Sequence, residues 1–173
     1  FDKVAKFYDM GYPGGVALDK LAENGDADAF RFPEPRLHKG PHRYDVSYSG
    51  LKTAAVNQLE QFRTVGYEAS LENIAASFRK AAIDMLVKRV RLAAKDTGIM
   101  RVVAGGGVSA NRYLRIVLNE DKKLETYFPS IALCTDNGAM IAALGYHRLS
   151  KGERSDLNLN AAARVSGFRR PYP

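Results

Sequence analysis

The sequence predicts an α/β layered domain in which helices alternate with a parallel pair of strands, and two segments carry that prediction. The stretch VVAGGGVSANRYLR, from Val102 to Arg115, reads as a buried strand, a triple-glycine turn and then a capped helix. CTDNGAMIAALG, from Cys134 to Gly145, repeats the plan, with a short strand ending at Asp136 and an alanine-rich helix starting at once. Two good strands are few for such a domain, so its remaining sheet partners are expected N-terminal to Phe1. The chain starts without methionine, inside an expected helix, and reads as a piece of something longer.

Taken in order, Phe1, Val4, Ala5 and Tyr8 share one helical face, which Gly11, Pro13, Gly14 and Gly15 interrupt. Val16, Leu18, Leu21 and Ala22 predict a short second helix that Gly25 can end. Residues 26–45 hold Pro33, Pro35 and Pro41 without helical period, and predict an irregular excursion with a short strand at 44–48. Ser49 is placed to cap a helix through Leu51, Ala54, Ala55, Leu59 and Phe62. Ser70 with Asn73 opens the longest helix, which reaches about Thr97 before Gly98. Its apolar stripe is Leu71, Ile74, Ala75, Phe78, Ala82, Met85 and Leu86, and Arg79, Lys80, Lys88, Arg91 and Lys95 lie mostly off it. A strand at 101–104, a helix from Ser109 to about Lys122, a strand at 131–134 and a helix from Asn137 to about Ser150 complete the reading.

Composition narrows the class. The 173 residues are 46% hydrophobic and 26% charged, enough for one domain with a sizeable core. The single cysteine, Cys134, excludes an internal disulfide framework and fits a reducing, cytoplasmic setting. No apolar run approaches the length of a membrane span, and no signal-peptide pattern is present. A net charge of +7 and a pI near 9.5 suit either a polyanionic partner such as RNA or a solubilised surface.

Candidate chemistry sits at the turns. Gly105, Gly106 and Gly107 lack the Cβ that keeps a ligand away from backbone, and the following helix N-terminus suits a phosphate or carboxylate. Packing alone is the other account of these glycines. Their spacing is neither a dinucleotide fingerprint nor a Walker loop. Asp136, beyond the carboxyl end of an expected strand, is placed to hold a metal or ribose, or simply to cap the next helix. Asp2 and Asp19 flank the YPGG turn at Tyr12 to Gly15, where the glycine pair admits a ligand. His38 and His42 have H-x-x-x-H spacing, but Gly40 and Pro41 forbid the helix a metal pair needs. His147 reads as surface.

Four segments then carry a resemblance. FDKVAKFYDMGYPGG, SYSGLKTA, VAGGGVSANRYLR and CTDNGAMIA resemble, in order and nearly end to end, the C-terminal half of the tRNA N6-adenosine threonylcarbamoyltransferase family, formerly described as glycoprotein endopeptidases. The resemblance implies an actin/Hsp70/sugar-kinase-like fold, with residues 1–173 forming a partial second lobe and the first lobe absent from this chain. It places Asp2, Gly15, Asp19 and Asn111 around the nucleotide of the substrate, threonylcarbamoyl-AMP, and the backbone of Gly105, Gly106 and Gly107 near its phosphate. It makes Asp136 the carboxylate ligand of one divalent metal, iron or zinc, with two histidine ligands expected from the missing N-terminal half. His38 and His42 are not those histidines, and Val16 replaces the family's usual proline after YPGG.

The implied reaction transfers a threonylcarbamoyl group to N6 of the adenosine 3′ of a tRNA anticodon, releasing AMP. This fragment is not expected to catalyse it alone. Implied partners are tRNA, a paralogous subunit of the same fold and a P-loop ATPase, and none is a membrane. Basic residues of the long helix and the tail (Arg164, Arg169, Arg170) are candidates for tRNA phosphates or a solvated face. A sugar-kinase or ATPase-type member of the same fold, and a non-catalytic nucleotide-binding partner subunit, are the competing readings. The second fits poorly with the retention of Asp2, Asp19, Asn111 and Asp136.

Overall fold

In the computed structural model, residues 1–34, 42–64 and 69–160 are described. They form an α-rich unit with one two-stranded parallel sheet, in the order α1 (Asp2–Phe7), α2 (Gly14–Leu21), α3 (Tyr48–Thr64), α4 (Leu71–Thr97), β1 (Arg101–Val103), α5 (Arg112–Asn119), β2 (Glu125–Tyr127) and α6 (Gly138–Ser150). His38, Arg164, Arg169 and Arg170 lie outside the described residues, as do the side chains of Leu59 and Phe62.

Helix α4 organises the packing. The Ser70 hydroxyl accepts a hydrogen bond from Asn73 N–H at 3.1 Å, satisfying an amide at the helix start. At the other end Gly98 adopts φ 71°, a left-handed conformation that glycine adopts without a Cβ clash. Between these ends α4 serves two apolar clusters. Ile74, Ala75, Phe78, Ala82 and Met85 bury against Val4, Ala5 and Tyr8 of the α1 segment, Leu18 of α2 and Leu51 and Ala55 of α3. Ile83 and Val87 face Leu114 and Leu118 of α5. The predicted stripe makes the first of these contacts, although Leu71 at its start is 37% exposed; Ile83 and Val87, which make the second, are not among its residues.

Gly25 does not end α2 in a left-handed turn, as the sequence suggests. It lies against the first turn of α4, where an added Cβ would sit 2.0 Å from the Glu72 carbonyl oxygen. Its role is close approach rather than termination. The expected strand at 44–48 is absent, because Tyr48 already begins α3. Ser47 rather than Ser49 caps that helix, its hydroxyl accepting from Gly50 N–H at 3.2 Å.

The parallel pair is present, but its second member is displaced. β1 pairs with β2 in the register Arg101 with Glu125, Val102 with Thr126 and Val103 with Tyr127. Residues 131–133, expected as a strand, form a 3-10 turn instead, so no strand ends at Asp136. Polar pairing helps β2: Arg101 Nε donates across the strands to Glu125 at 3.0 Å, and within β2 the Tyr127 hydroxyl donates to the same carboxylate. The expected burial of β1 is not observed, since Val103 is 78% exposed. Helix α6 begins where predicted, with the Asn137 side chain accepting from Met140 N–H at 3.1 Å, yet none of its residues is buried.

Candidate functional site

The turn between α1 and α2 brings the first two candidates together. Asp2 stands in the first turn of α1, and its Oδ1 accepts a hydrogen bond from Gly15 N–H at 2.7 Å. A carboxylate there answers the partial positive charge at the start of α2. Gly14 makes the approach possible, because a Cβ on it would lie 2.7 Å from Asp2 Cα and 2.9 Å from Asp2 Oδ1. Gly15 is under no such steric constraint, its virtual Cβ being 3.7 Å from the same oxygen.

Asp19 lies one turn farther along α2, on the face that carries Gly15. Its Oδ1 accepts from Arg79 of α4 at 3.1 Å and from Asn111 Nδ2 at 2.8 Å, while Arg112 N–H stands 3.4 Å from Oδ2. Arg79 also donates to the backbone carbonyls of Asp19 and Ala22, both at 3.1 Å. The Arg79 and Asp19 side chains are only 14% and 17% exposed, so this charge-assisted pair is shielded from water. The N-terminus of α5 thus already faces an anion, the Asp19 carboxylate. The sequence predicts a ligand phosphate or carboxylate at this helix start, and the carboxylate that stands there is the chain's own Asp19.

Asn111 is the N-cap of α5, a role the sequence reading gave to Ser109. Asn111 Oδ1 accepts from Leu114 N–H at 2.9 Å as its Nδ2 reaches Asp19. Ser109 instead belongs to a 3-10 turn, Gly107–Ala110, and its hydroxyl donates to the Gly106 carbonyl at 2.7 Å. Gly105, Gly106 and Gly107 are exposed with open space where a Cβ would be, and Gly106 has φ 83°. Their N–H groups donate to no acceptor among the described residues. Four candidates, Asp2, Gly15, Asp19 and Asn111, therefore form one α1–α2–α5 junction, and the glycine turn immediately precedes it in the chain.

Asp136 stands apart. It is exposed and shares no hydrogen bond with Asp2, Asp19 or Asn111 among the described residues. It does not cap α6 either, because Asn137 does. Among the described residues no three His, Cys, Asp or Glu side chains are grouped to hold a metal ion. These residues alone do not fit a metal centre. His42 pairs with Asp45 at 2.8 Å, and His147 is exposed on α6 as expected. A groove of about 340 Å³ lies between residues 27–34 and α4, lined in part by Phe30, Phe32, Lys80 and Met85; none of the candidate site residues lines it.

Two arginines escaped the sequence reading as site elements. Arg79 read as off the apolar stripe of α4, which is correct, but its target lies on α2, far away in the chain. Arg115 ends the Val102 to Arg115 stretch and has no separate role in the sequence reading. Its Nε donates to the Ser109 carbonyl and its Nη2 to the Pro129 carbonyl, both at 2.7 Å. Beside Arg79, which lies 5.7 Å from its ring, Tyr113 donates its hydroxyl to Asp84 at 3.1 Å. Burial first, and then the Asp84 charge and hydrogen bond, push the Tyr113 hydroxyl up to about 12. Ion pairing also restricts the basic face of α4: Arg79, Lys80, Lys88 and Arg91 all have carboxylate partners. Among the described residues no helix is long and apolar enough to cross a membrane.

Comparison with known proteins agrees with this distribution of motifs. Residues 1–143 match the family model described as tRNA N6-adenosine threonylcarbamoyltransferase. A protein of that name from Treponema denticola is 54% identical over 168 residues, 97% of this chain and 50% of the relative. Its counterpart in Treponema pallidum is 49% identical over 97% of this chain and 48% of its own length. A Borreliella burgdorferi protein of the same name is 45% identical, covering 99% of this chain and 49% of the relative. The chain thus spans about half the length of these relatives, and neither the sugar-kinase nor the non-catalytic reading is favoured. The extent of the match over both glycine-bearing segments leads to one assignment: the chain belongs to the tRNA N6-adenosine threonylcarbamoyltransferase family.

Proposed function

We propose that this chain supplies the nucleotide-holding half of an enzyme that transfers the threonylcarbamoyl group of threonylcarbamoyl-AMP to N6 of the adenosine 3′ of a tRNA anticodon. In this reading its residues form part of the second lobe of an actin/Hsp70/sugar-kinase-like fold, with the first lobe outside the chain. The observation that carries the reading is the α1–α2–α5 junction, in which Asp2 holds Gly15 and Asp19 holds Asn111 beside unpaired glycine-turn amides.

The chemistry asks for alignment above all. The N6 lone pair attacks the carbamoyl carbon, a C–N bond forms, the C–O bond to phosphate breaks, and AMP leaves as N6 gives up a proton. An adenine amine is a weak nucleophile, so holding both reactants in register and stabilising the departing phosphate supply most of the acceleration. Asp19 and Asn111 retain spare capacity for this. Asn111 Nδ2 has a second hydrogen, and Asp19 Oδ2 has only the long contact to Arg112, which leaves positions for ribose hydroxyls or an adenine edge. Asp2 orients the start of α2, whose Gly15 edge the nucleotide approaches. The unpaired amides at Gly105 to Gly107 are suited to hold the leaving phosphate.

Asp136, exposed and bonded to none of these residues, is available as one carboxylate ligand of an iron or zinc ion whose histidines lie outside the chain. The bound metal supplies Lewis acidity, and that chemistry belongs to the completed centre rather than to these residues. Net charge of +7 supports tRNA as the polyanionic partner, with Lys95 the α4 cation that has no carboxylate partner among the described residues. A paralogous subunit and a P-loop ATPase complete the proposed assembly, in the cytoplasm where its tRNA substrate resides.

The test is mass spectrometry of tRNA nucleosides after incubation with threonylcarbamoyl-AMP. The complete enzyme is expected to form N6-threonylcarbamoyladenosine, and this chain alone to form none. An Asn111→Ala variant of the complete enzyme should lose about 100-fold in rate through misalignment. Full activity in that variant, or a parent that modifies no tRNA, overturns the reading.

A further inference from the structure

The glycine turn and the segment leading to Asp136 are distant in the chain from each other, yet one side chain holds both. Arg115, half-buried on α5, reaches back with Nε to the Ser109 carbonyl at 2.7 Å, closing the turn that follows Gly105 to Gly107. The same guanidinium extends Nη2 to the Pro129 carbonyl at 2.7 Å and to Cys134 Sγ at 3.2 Å, two residues before Asp136. Its Cζ also lies over the Phe128 ring, 4.9 Å from the centroid. Cys134 is 3% exposed, although its neighbours Leu133, Thr135 and Asp136 are all exposed. The 131–136 segment belongs to no sheet, so its placement relies on this anchor and the short 3-10 turn.

We infer that Arg115 is a positioning residue that couples the glycine turn to the Asp136 segment and sets the distance between them for the transfer reaction. This role rests on the functional reading above, in which the turn holds phosphate and Asp136 is available as one carboxylate ligand of the metal. The guanidinium suits the task because its planar fork serves three acceptors in two loops at once, which a lysine ammonium on a flexible stem does not do in one geometry. Arg115 itself touches no substrate in this arrangement. Loosening it shifts two substrate-facing elements relative to each other, and a displacement of about 1 Å at a reacting centre costs about 100-fold in rate.

The experiment uses the complete enzyme carrying Arg115→Ala or Arg115→Lys, with two readouts. The first is the separation of kcat from KM for tRNA in threonylcarbamoyl transfer. The second is the labelling rate of Cys134 by a small thiol reagent, followed at its own peptide by mass spectrometry. Arg115→Ala is expected to lower kcat about 100-fold with KM for tRNA nearly unchanged, and to speed Cys134 labelling about tenfold. Arg115→Lys should fall between parent and alanine variant in both, and it carries the test if the alanine variant fails to fold. Removing a neighbouring cation does not favour a reactive thiolate, so faster labelling reads exposure of the segment. Unchanged Cys134 labelling overturns the clamp. Faster labelling with an unchanged kcat overturns its catalytic importance. A parent enzyme that transfers nothing to tRNA defeats the functional reading instead, and the labelling arm then decides the clamp by itself.

Discussion

The α1–α4 body and the 99–150 segment differ in how completely they are enclosed. In the body, Leu18, Leu51, Ala55 and Ala75 are essentially inaccessible, and Arg79 pins α2 to α4 with three hydrogen bonds. In the later segment Val103, Ile131, Ile141, Leu144 and Tyr146 are all more than half exposed, and α6 buries nothing. Hydrophobic composition does not explain the contrast, since α6 is among the most apolar helices of the chain. What differs is the presence of a partner surface within these residues. Tertiary packing, more than propensity, gives a helix its energetic weight.

That contrast can be broken by substitution. The largest loss is expected for Ile83→Ala, which opens a cavity between α4 and α5 at a fully buried site and should cost about 2–5 kcal/mol, read from denaturant unfolding. Gly25→Ala comes next. Its Cβ would collide with the Glu72 carbonyl, and about 1–3 kcal/mol or more should be lost as the turn moves off α4. Ser70→Ala removes the α4 cap and should cost about 1 kcal/mol by the same measurement. Leu144→Ala, on the open surface of α6, should change the stability of this chain by no more than about 0.5 kcal/mol. A Leu144→Ala cost equal to that of Ile83→Ala would erase the distinction between the two regions.

Alkaline pH sharpens the same comparison. Tyr113 has its ordinary value of 10.0 raised to about 12 in the fold, so between those limits the unfolded chain loses this proton while the folded chain keeps it. Stability from this group is complete below about pH 10 and falls as pH rises toward about 12. Unfolding curves across that window should be flatter for Tyr113→Phe than for the parent.

The legible part of the fold was that governed by short-range pattern. The Ser70 cap, the α4 face from Ile74 to Met85, Gly98 and the start of α6 at Asn137 depend on residues within a turn or two of each other and match the sequence reading, whereas the Ile83 and Val87 face toward α5 does not appear in it. The shift of β2 from 131–134 to Glu125–Tyr127 was not legible, because Ile131, Ala132 and Leu133 form an apolar run that suits either structure. The Thr126 hydroxyl bond to Asn119 and the Glu125 pairing with Arg101 that accompany the true strand involve residues outside the run.

At the candidate site, residue identity was readable and bonding was not. Asp2, Gly15, Asp19 and Asn111 were named from motifs, yet nothing local shows that Asp19 and Asn111, ninety-two positions apart, share a hydrogen bond. Ser109 and Asn111 are both good caps by type, and the 3-10 turn that Ser109 closes onto Gly106 decides between them. Arg79 carried no motif signal, because an arginine off the apolar face looks the same whether it meets water or a distant carbonyl, and Arg115, although it ends the Val102 to Arg115 stretch, has nothing local that points to Pro129 or Cys134.

The junction of α1, α2 and α5 is the centre of the account, and binding of a stable threonylcarbamoyl-AMP analogue to the complete enzyme tests it most directly. Calorimetry should show Asn111→Ala weakening that affinity by about tenfold, the loss expected when a positioned amide no longer meets its polar partner. Equal affinity in parent and variant, with the fold intact, would contradict the claim that this junction holds the nucleotide.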